Sequence, residues 1–158
     1  MKFFVNNDLK KEHPLAIMIT ALVILLALFT LSDLWVKGSL FGYSVSAIHL
    51  TLIGDAENFV DPFSFSTLLE MIHSDLFFSS LLFLVIAALS LRLTQDSNLS
   101  KILLLLLLVL LITAMITPFI ALNGSYLSTY LWFYSFIVSH ALFLVIMIDI
   151  LWHLWFDQ

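Results

Sequence analysis

A chain of 158 residues that is 62% hydrophobic, 11% charged and has a mean hydropathy of +1.11 cannot be a soluble domain, because a fold this small has no interior able to hide so much apolar surface. A net charge of −5 with six Lys and Arg excludes nucleic-acid binding, which needs clustered basic side chains against phosphates. The absence of cysteine removes disulfide exchange, iron–sulfur clusters, thiolate zinc sites, covalent c-type haem attachment and the four-helix thiol oxidases. What remains is a single polytopic membrane domain over residues 1–158.

Residues 1–13 form a polar leader carrying Lys2, Lys10 and Lys11. An apolar run follows over about 14–36, opened by His13-Pro14, where a proline suits the first helical turn. At about 22 residues it is long enough to cross a ~30 Å hydrocarbon core and too long for a signal peptide, so it reads as a retained first span. Residues 37–63 are too broken to span. Within them Phe41, Val45, Ile48 and Leu52 recur at helical spacing and Gly54 is placed to stop a helix, which predicts a short amphipathic helix over about 41–54 lying at the outer interface. Asp61-Pro62 is a helix-start signal for the next span.

The second span, about 64–93, carries Glu70, His73 and Asp75 near its start. Ionisable groups inside a span are expensive and mark a functional hypothesis. Ser66, Glu70, His73 and Ser80 share one helical face, which is expected to look inward. After a polar turn, the third span over about 101–122 is a leucine run whose only polar side chains beyond Lys101 are Thr113 and Thr117, before Pro118, and it reads as lipid-facing. The fourth, about 126–155, is flanked by aromatic belts and holds Ser135, Ser139, His140 and Asp149. The fold class is therefore all-α, with four antiparallel transmembrane helices in a bundle plus one outer interfacial helix. Lys2, Lys10, Lys11, Arg92 and Lys101 fall on the side of the termini and only Lys37 on the other. That bias predicts cytoplasmic termini in a bacterial inner membrane.

Five histidines are the candidate ligands. His73 and His140 lie inside spans, about 13 Å and about 20 Å deep at 1.5 Å per residue. Two imidazoles near one depth on different helices suit a non-covalent haem b, with Phe77, Phe136, Leu144 and Met147 as apolar walls and Glu70 orienting His73. His49 is an alternative partner for either histidine. It also makes a single copper or zinc site with His73 and an acid conceivable. His13 and His153 read as interfacial caps, since His153 and His140 stand about 220° apart on the wheel. Glu70-x-x-His73 has half the spacing of a di-iron site, but Glu12 and Glu57, the other glutamates, fall outside the spans. A membrane glutathione-type transferase would need more basic groups than Arg92 alone.

The plan resembles small membrane-anchor b-type cytochromes in architecture, a likeness that assigns no residue. The leading expectation is a haem-b electron-transfer subunit exchanging electrons with quinone or a periplasmic partner. The alternatives are a non-enzymatic scaffold or assembly subunit of a larger membrane complex, and a small transporter or metal-handling protein. In the transporter case Glu70, Asp75 and Asp149 are the acids of a proton or ion path.

Overall fold

The computed structural model describes residues 13–56, 59–93 and 97–156, so the lysines of the leader lie outside the described residues. Helix α1 (His13–Phe41) carries Pro14 in its first turn and runs five residues beyond the expected end. It continues because Lys37 is not an interfacial stop. The side chain turns inward, is buried, and meets Asp33 one turn earlier. The break comes at Gly42, whose φ is +92° and where a Cβ would stand 2.6 Å from that of Ala47.

Helix α2 (Val45–Ile53) is shorter than expected and sharply bounded. The Ser44 hydroxyl accepts from the Ala47 N–H at its start, and the Gly54 N–H donates to Leu50 O at its end. Ile48 and Leu52 are buried while Leu50 and Ile53 are exposed, so its amphipathic reading holds. In the following loop Asp55 and Val60 exchange two backbone hydrogen bonds, and the Phe63 N–H donates to Leu52 O at 3.1 Å. The Ser64 hydroxyl then accepts from the Thr67 N–H at the start of α3 (Phe65–Leu93), three residues after the Asp61-Pro62 signal. Ser97 caps α4 (Asn98–Ala121) and Ser125 caps α5 (Tyr126–Trp155) in the same way.

Helices α1, α3, α4 and α5 are long and apolar enough to cross a membrane. The chain is a nearly all-helical, multi-pass membrane protein, whose spans are helices that pair backbone groups within themselves. Helix α5 is the hub, packing on all four others and most extensively on α4. The leucine run of α4 is only half lipid-facing. Ile102, Leu105, Val109 and Ile112 point outward, but Leu104, Leu107 and Leu111 are buried in a cluster with Phe143, Ile146 and Ile150 of α5. Lipid tails are as apolar as leucine, so this contact gains from close packing rather than from dehydration.

The interior falls into two apolar clusters with a polar layer between them. The larger, toward the termini, joins Ala16, Ile19 and Val23 of α1 to Leu82 and Ile86 of α3 and to Phe143 and Met147 of α5. The smaller, at the α2 end, joins Phe41, Ile48, Leu52, Ala114, Ala121 and Trp132. Along α1 the stretch from Val23 to Phe41 passes through Asp33 and Lys37. Along α5 the stretch from Trp132 to Phe143 passes through His140, and on α3 Asp75 precedes Leu82 by two turns.

Candidate functional site: a buried acid–base layer

The side chains of that layer meet. Lys37 Nζ donates to Asp33 Oδ1 at 3.0 Å and to Asp75 Oδ1 at 2.7 Å, tying α1 to α3. His140 Nε2 lies 2.9 Å from Asp33 Oδ2, tying α5 to α1. The second ring nitrogen, Nδ1, is 2.8 Å from the carbonyl oxygen of Phe136, one turn back on α5. The Phe136 ring packs 4.1 Å, centroid to centroid, from the imidazole, and the Lys37 ammonium sits 5.3 Å from the same ring's centre. Three of the four spanning helices therefore contribute one chain of contacts, Asp75–Lys37–Asp33–His140.

Hydrogen-bond accounting at His140 is restrictive. Both of its partners, a carbonyl and a carboxylate oxygen, are acceptors, and an imidazole satisfies two acceptors only when both nitrogens carry hydrogen. A proton must therefore lie between Nε2 and Asp33 Oδ2, held by the ring or by the carboxyl group. With that proton counted, Asp33, Lys37, Asp75 and His140 sum to zero charge in either case. Without it they carry −1 inside the bilayer, where an uncompensated charge is costly.

A small cavity of about 20 Å³ adjoins all four groups together with Ser79 and Ser139, enough for roughly one water. Lys37 and His140 side chains are nine-tenths hidden, whereas Asp33 and Asp75 keep 25% and 20% of their side-chain surface. The carboxylates are thus the accessible members of the chain of contacts. Toward the α2 end, Lys37 and Phe136 also line a separate apolar pocket of about 100 Å³ walled by Phe41, Tyr43, Trp132 and Phe133.

The expected inward face of α3 is reversed. Ser66, Glu70, His73 and Ser80 are exposed, and Leu68, Ile72, Asp75, Ser79, Leu82 and Ile86 form the inner side. Lipid does not reject leucine, so polar residues were a poor guide to the inside; the buried stripe is the one whose acid meets a base from another helix. His73 and His140 are consequently not brought together within one chain. His140 has both nitrogens engaged, and Phe77, the expected haem wall, points away from the bundle with 64% exposure. These residues do not fit a bis-histidine haem inside one chain, and Glu70 is not beside a ligand. His49 is engaged elsewhere as well: Nδ1 is 3.1 Å from Thr129 Oγ1, and its ring packs edge-on to Tyr126. It pins α2 to the start of α5. Among the described residues no three His, Asp or Glu side chains are grouped as metal ligands.

At the opposite end the interfacial reading fits the geometry. His13 packs edge-on to Trp155, and His153 Nδ1 lies 3.3 Å from Asp149 Oδ1, one turn away. The Trp155 indole N–H donates to Thr20 Oγ1, closing α1 against α5. Asp33 and Lys37 are the members of the buried layer that the sequence reading missed. Their signal was an acid and a base four residues apart at the end of an apolar run, matched by a third ionisable group, Asp75, at a similar level of another span.

No curated protein and no solved structure matches this chain. A family model described as a transmembrane helical domain, Aq_1264_TM, matches residues 42–158, which take in α2 to α5 and leave out α1 with its Asp33 and Lys37. The match covers most of the chain, three of its four spans and the hub helix that carries His140, and on that ground the protein belongs to the Aq_1264_TM family of transmembrane helical domains.

Proposed function

We propose that this protein is a proton-handling membrane subunit, whose Asp33–His140 pair binds and releases one proton within the bundle. The observation that supports the reading is the pairing of His140 with two acceptors, which calls for a proton at the contact between His140 of α5 and Asp33 of α1. Lys37 and Asp75 act as positioning and charge-balancing groups, keeping the loaded layer neutral. The water-sized cavity and the partly accessible carboxylates supply a place for the exchanging proton. Such a device suits a small proton-coupled transporter.

The test is nitrogen NMR of histidine-labelled protein in detergent, with His140 assigned by its loss in His140→Gln. Stepping the pH should move the His140 nitrogens reversibly, and Asp33→Asn should displace that response. His140 signals that stay fixed in both proteins would mean that the layer only locks helices together, as a scaffold requires. Electron transfer through haem b would instead need His140 to release Asp33 and find its partner outside this chain. A Soret band in the purified protein that is lost in His140→Ala would favour that reading over the proton site.

The orientation belongs to the same proposal. Lys37 is buried in the bundle and drops out of the loop count, leaving Lys2, Lys10, Lys11, Arg92 and Lys101 all on the side of the termini. We infer cytoplasmic termini, with α2 facing outward. A cysteine placed at Asn123 should react with an impermeant thiol reagent in spheroplasts, and one at Ser97 should be protected. The reverse pattern inverts the topology.

A further inference from the structure

The outward face of α3 carries a second pattern that the buried layer does not use. Ser66, Glu70, His73, Phe77, Ser80 and Leu84 follow one another at intervals of four, three, four, three and four residues, all of them exposed. That is a 3.5-residue repeat, the period of a seam between two helices wound about each other. The stripe differs from the rest of the lipid-facing surface. Helix α4 turns isoleucine, leucine and valine outward, whereas α3 presents a carboxylate and an imidazole about 7.5 Å and about 12 Å along its axis from Phe65. Among the described residues, neither the Glu70 carboxylate nor the His73 ring has a hydrogen bond or ion pair. Polar groups in a span face a partner or water rather than acyl chains.

We infer that this stripe is the seam of a homodimer, and that its occupant is the α3 of a second copy of this chain. The argument is complementarity. Glu70 supplies an acceptor and His73 a donor, one turn apart on the same stripe. A two-fold axis along the membrane normal sets two α3 helices side by side in parallel, at equal depth. Glu70 of each copy then faces His73 of the other across an axial offset of about 4.5 Å, and the contact is made twice. One stripe thus satisfies itself, where a different protein would have to bring a matching acid and base. Ser66 and Ser80, above and below the pair, let the backbones approach closely, and Phe77 meets its own symmetry mate between them.

The chain contains no cysteine, so single reporters can be introduced without background. Ser66→Cys and Ser80→Cys, oxidised in native membranes, should each give a disulfide-linked dimer. Leu25→Cys on α1 and Leu105→Cys on α4, both 63% exposed, should stay monomeric. In the Ser80→Cys protein, adding Glu70→Ala and His73→Ala should cut the dimer yield at least tenfold. The thermal midpoint of the monomer should stay unchanged, because both side chains lie outside the bundle core. Cross-linking no better than at the controls, a yield indifferent to Glu70 and His73, or a different protein captured at Ser66 would each overturn the homodimer. Because the Asp33–His140 pair lies on the opposite side of the packing, failure here leaves the proton site untouched, and the converse holds.

Discussion

Lys37→Met is expected to be the most damaging single substitution in the chain. Among the described residues the ammonium is the only cation touching both Asp33 and Asp75, at 3.0 and 2.7 Å, and it is buried. Methionine keeps the volume and flexible stem but leaves two carboxylates facing each other with no positive charge between them. Removing one partner of a buried ion pair costs about 3–5 kcal/mol, much of it the penalty of the charge left behind. For a chain of this size that lowers the thermal midpoint in detergent by on the order of 10 °C. The neutral triple variant Asp33→Asn, Lys37→Met, Asp75→Asn should recover most of the loss, since it removes the stranded charges with the cation. Asp75→Asn alone should cost less than Lys37→Met, because Lys37 keeps Asp33. If Lys37→Met melts within about 2 °C of the wild type, the ion pairs do not hold α1 to α3, and the layer is not the unit described above.

The spans were legible because length and apolarity are sufficient signals for crossing a bilayer, and α5 begins and ends where its aromatic belts placed it. The amphipathic α2 was legible for the same reason in miniature, with Ile48 and Leu52 one turn apart and Gly54 behind them. What could not be read was which side of each span faces the others. In water, Leu68 and Ile72 would point inward by default and Glu70 outward, and the structure has them so. In a membrane that rule loses its force, since neither lipid nor interior discriminates among apolar side chains, and the opposite assignment was equally open. The face is decided by partners instead. Asp75 lies within reach of a lysine 38 residues earlier in the chain, and such long-range pairing has no periodic signature.

The candidate site was half legible. His140 and Asp75 stood out as ionisable groups within spans, and both belong to the layer. Asp33 and Lys37 were hidden by their position at the end of an apolar run, where a charge ordinarily marks the membrane surface. The α1 helix instead carries Lys37 inward and continues for another turn to Phe41, which is buried against Trp132 and Phe63. The lysine that counted as loop charge is thus the centre of the network. His73 misled in the complementary way. Its position in a span was correctly read, but its direction is set by the packing of Leu68, Ile72 and Leu82, which turns the histidine out.

Gly54→Ala is the second substitution with a large expected effect, and it acts on the backbone rather than on charge. Gly54 has φ +78° and ψ 172°, a region essentially closed to residues with a side chain, and holding one there costs on the order of 1–3 kcal/mol. Space adds to the cost. A Cβ at this position would stand 2.7 Å from Val60 O and 2.8 Å from Pro62 N, both backbone atoms of the loop that returns to α3. The neighbour cannot swing aside as a side chain would, because the Val60 amide and carbonyl are both bonded to Asp55 and Phe63 is bonded to Leu52. The alanine variant is therefore expected to detach the 55–63 loop from α2, exposing the amides of Val60 and Phe63 to hydrogen exchange and lowering the thermal midpoint. Gly124→Ala is the matched control. Its φ of +80° carries a backbone cost too, but nothing lies within 4 Å of the added carbon, so its effect should be distinctly smaller. Equal losses from the two variants would mean that backbone conformation alone decides, and that the loop does not press on Gly54.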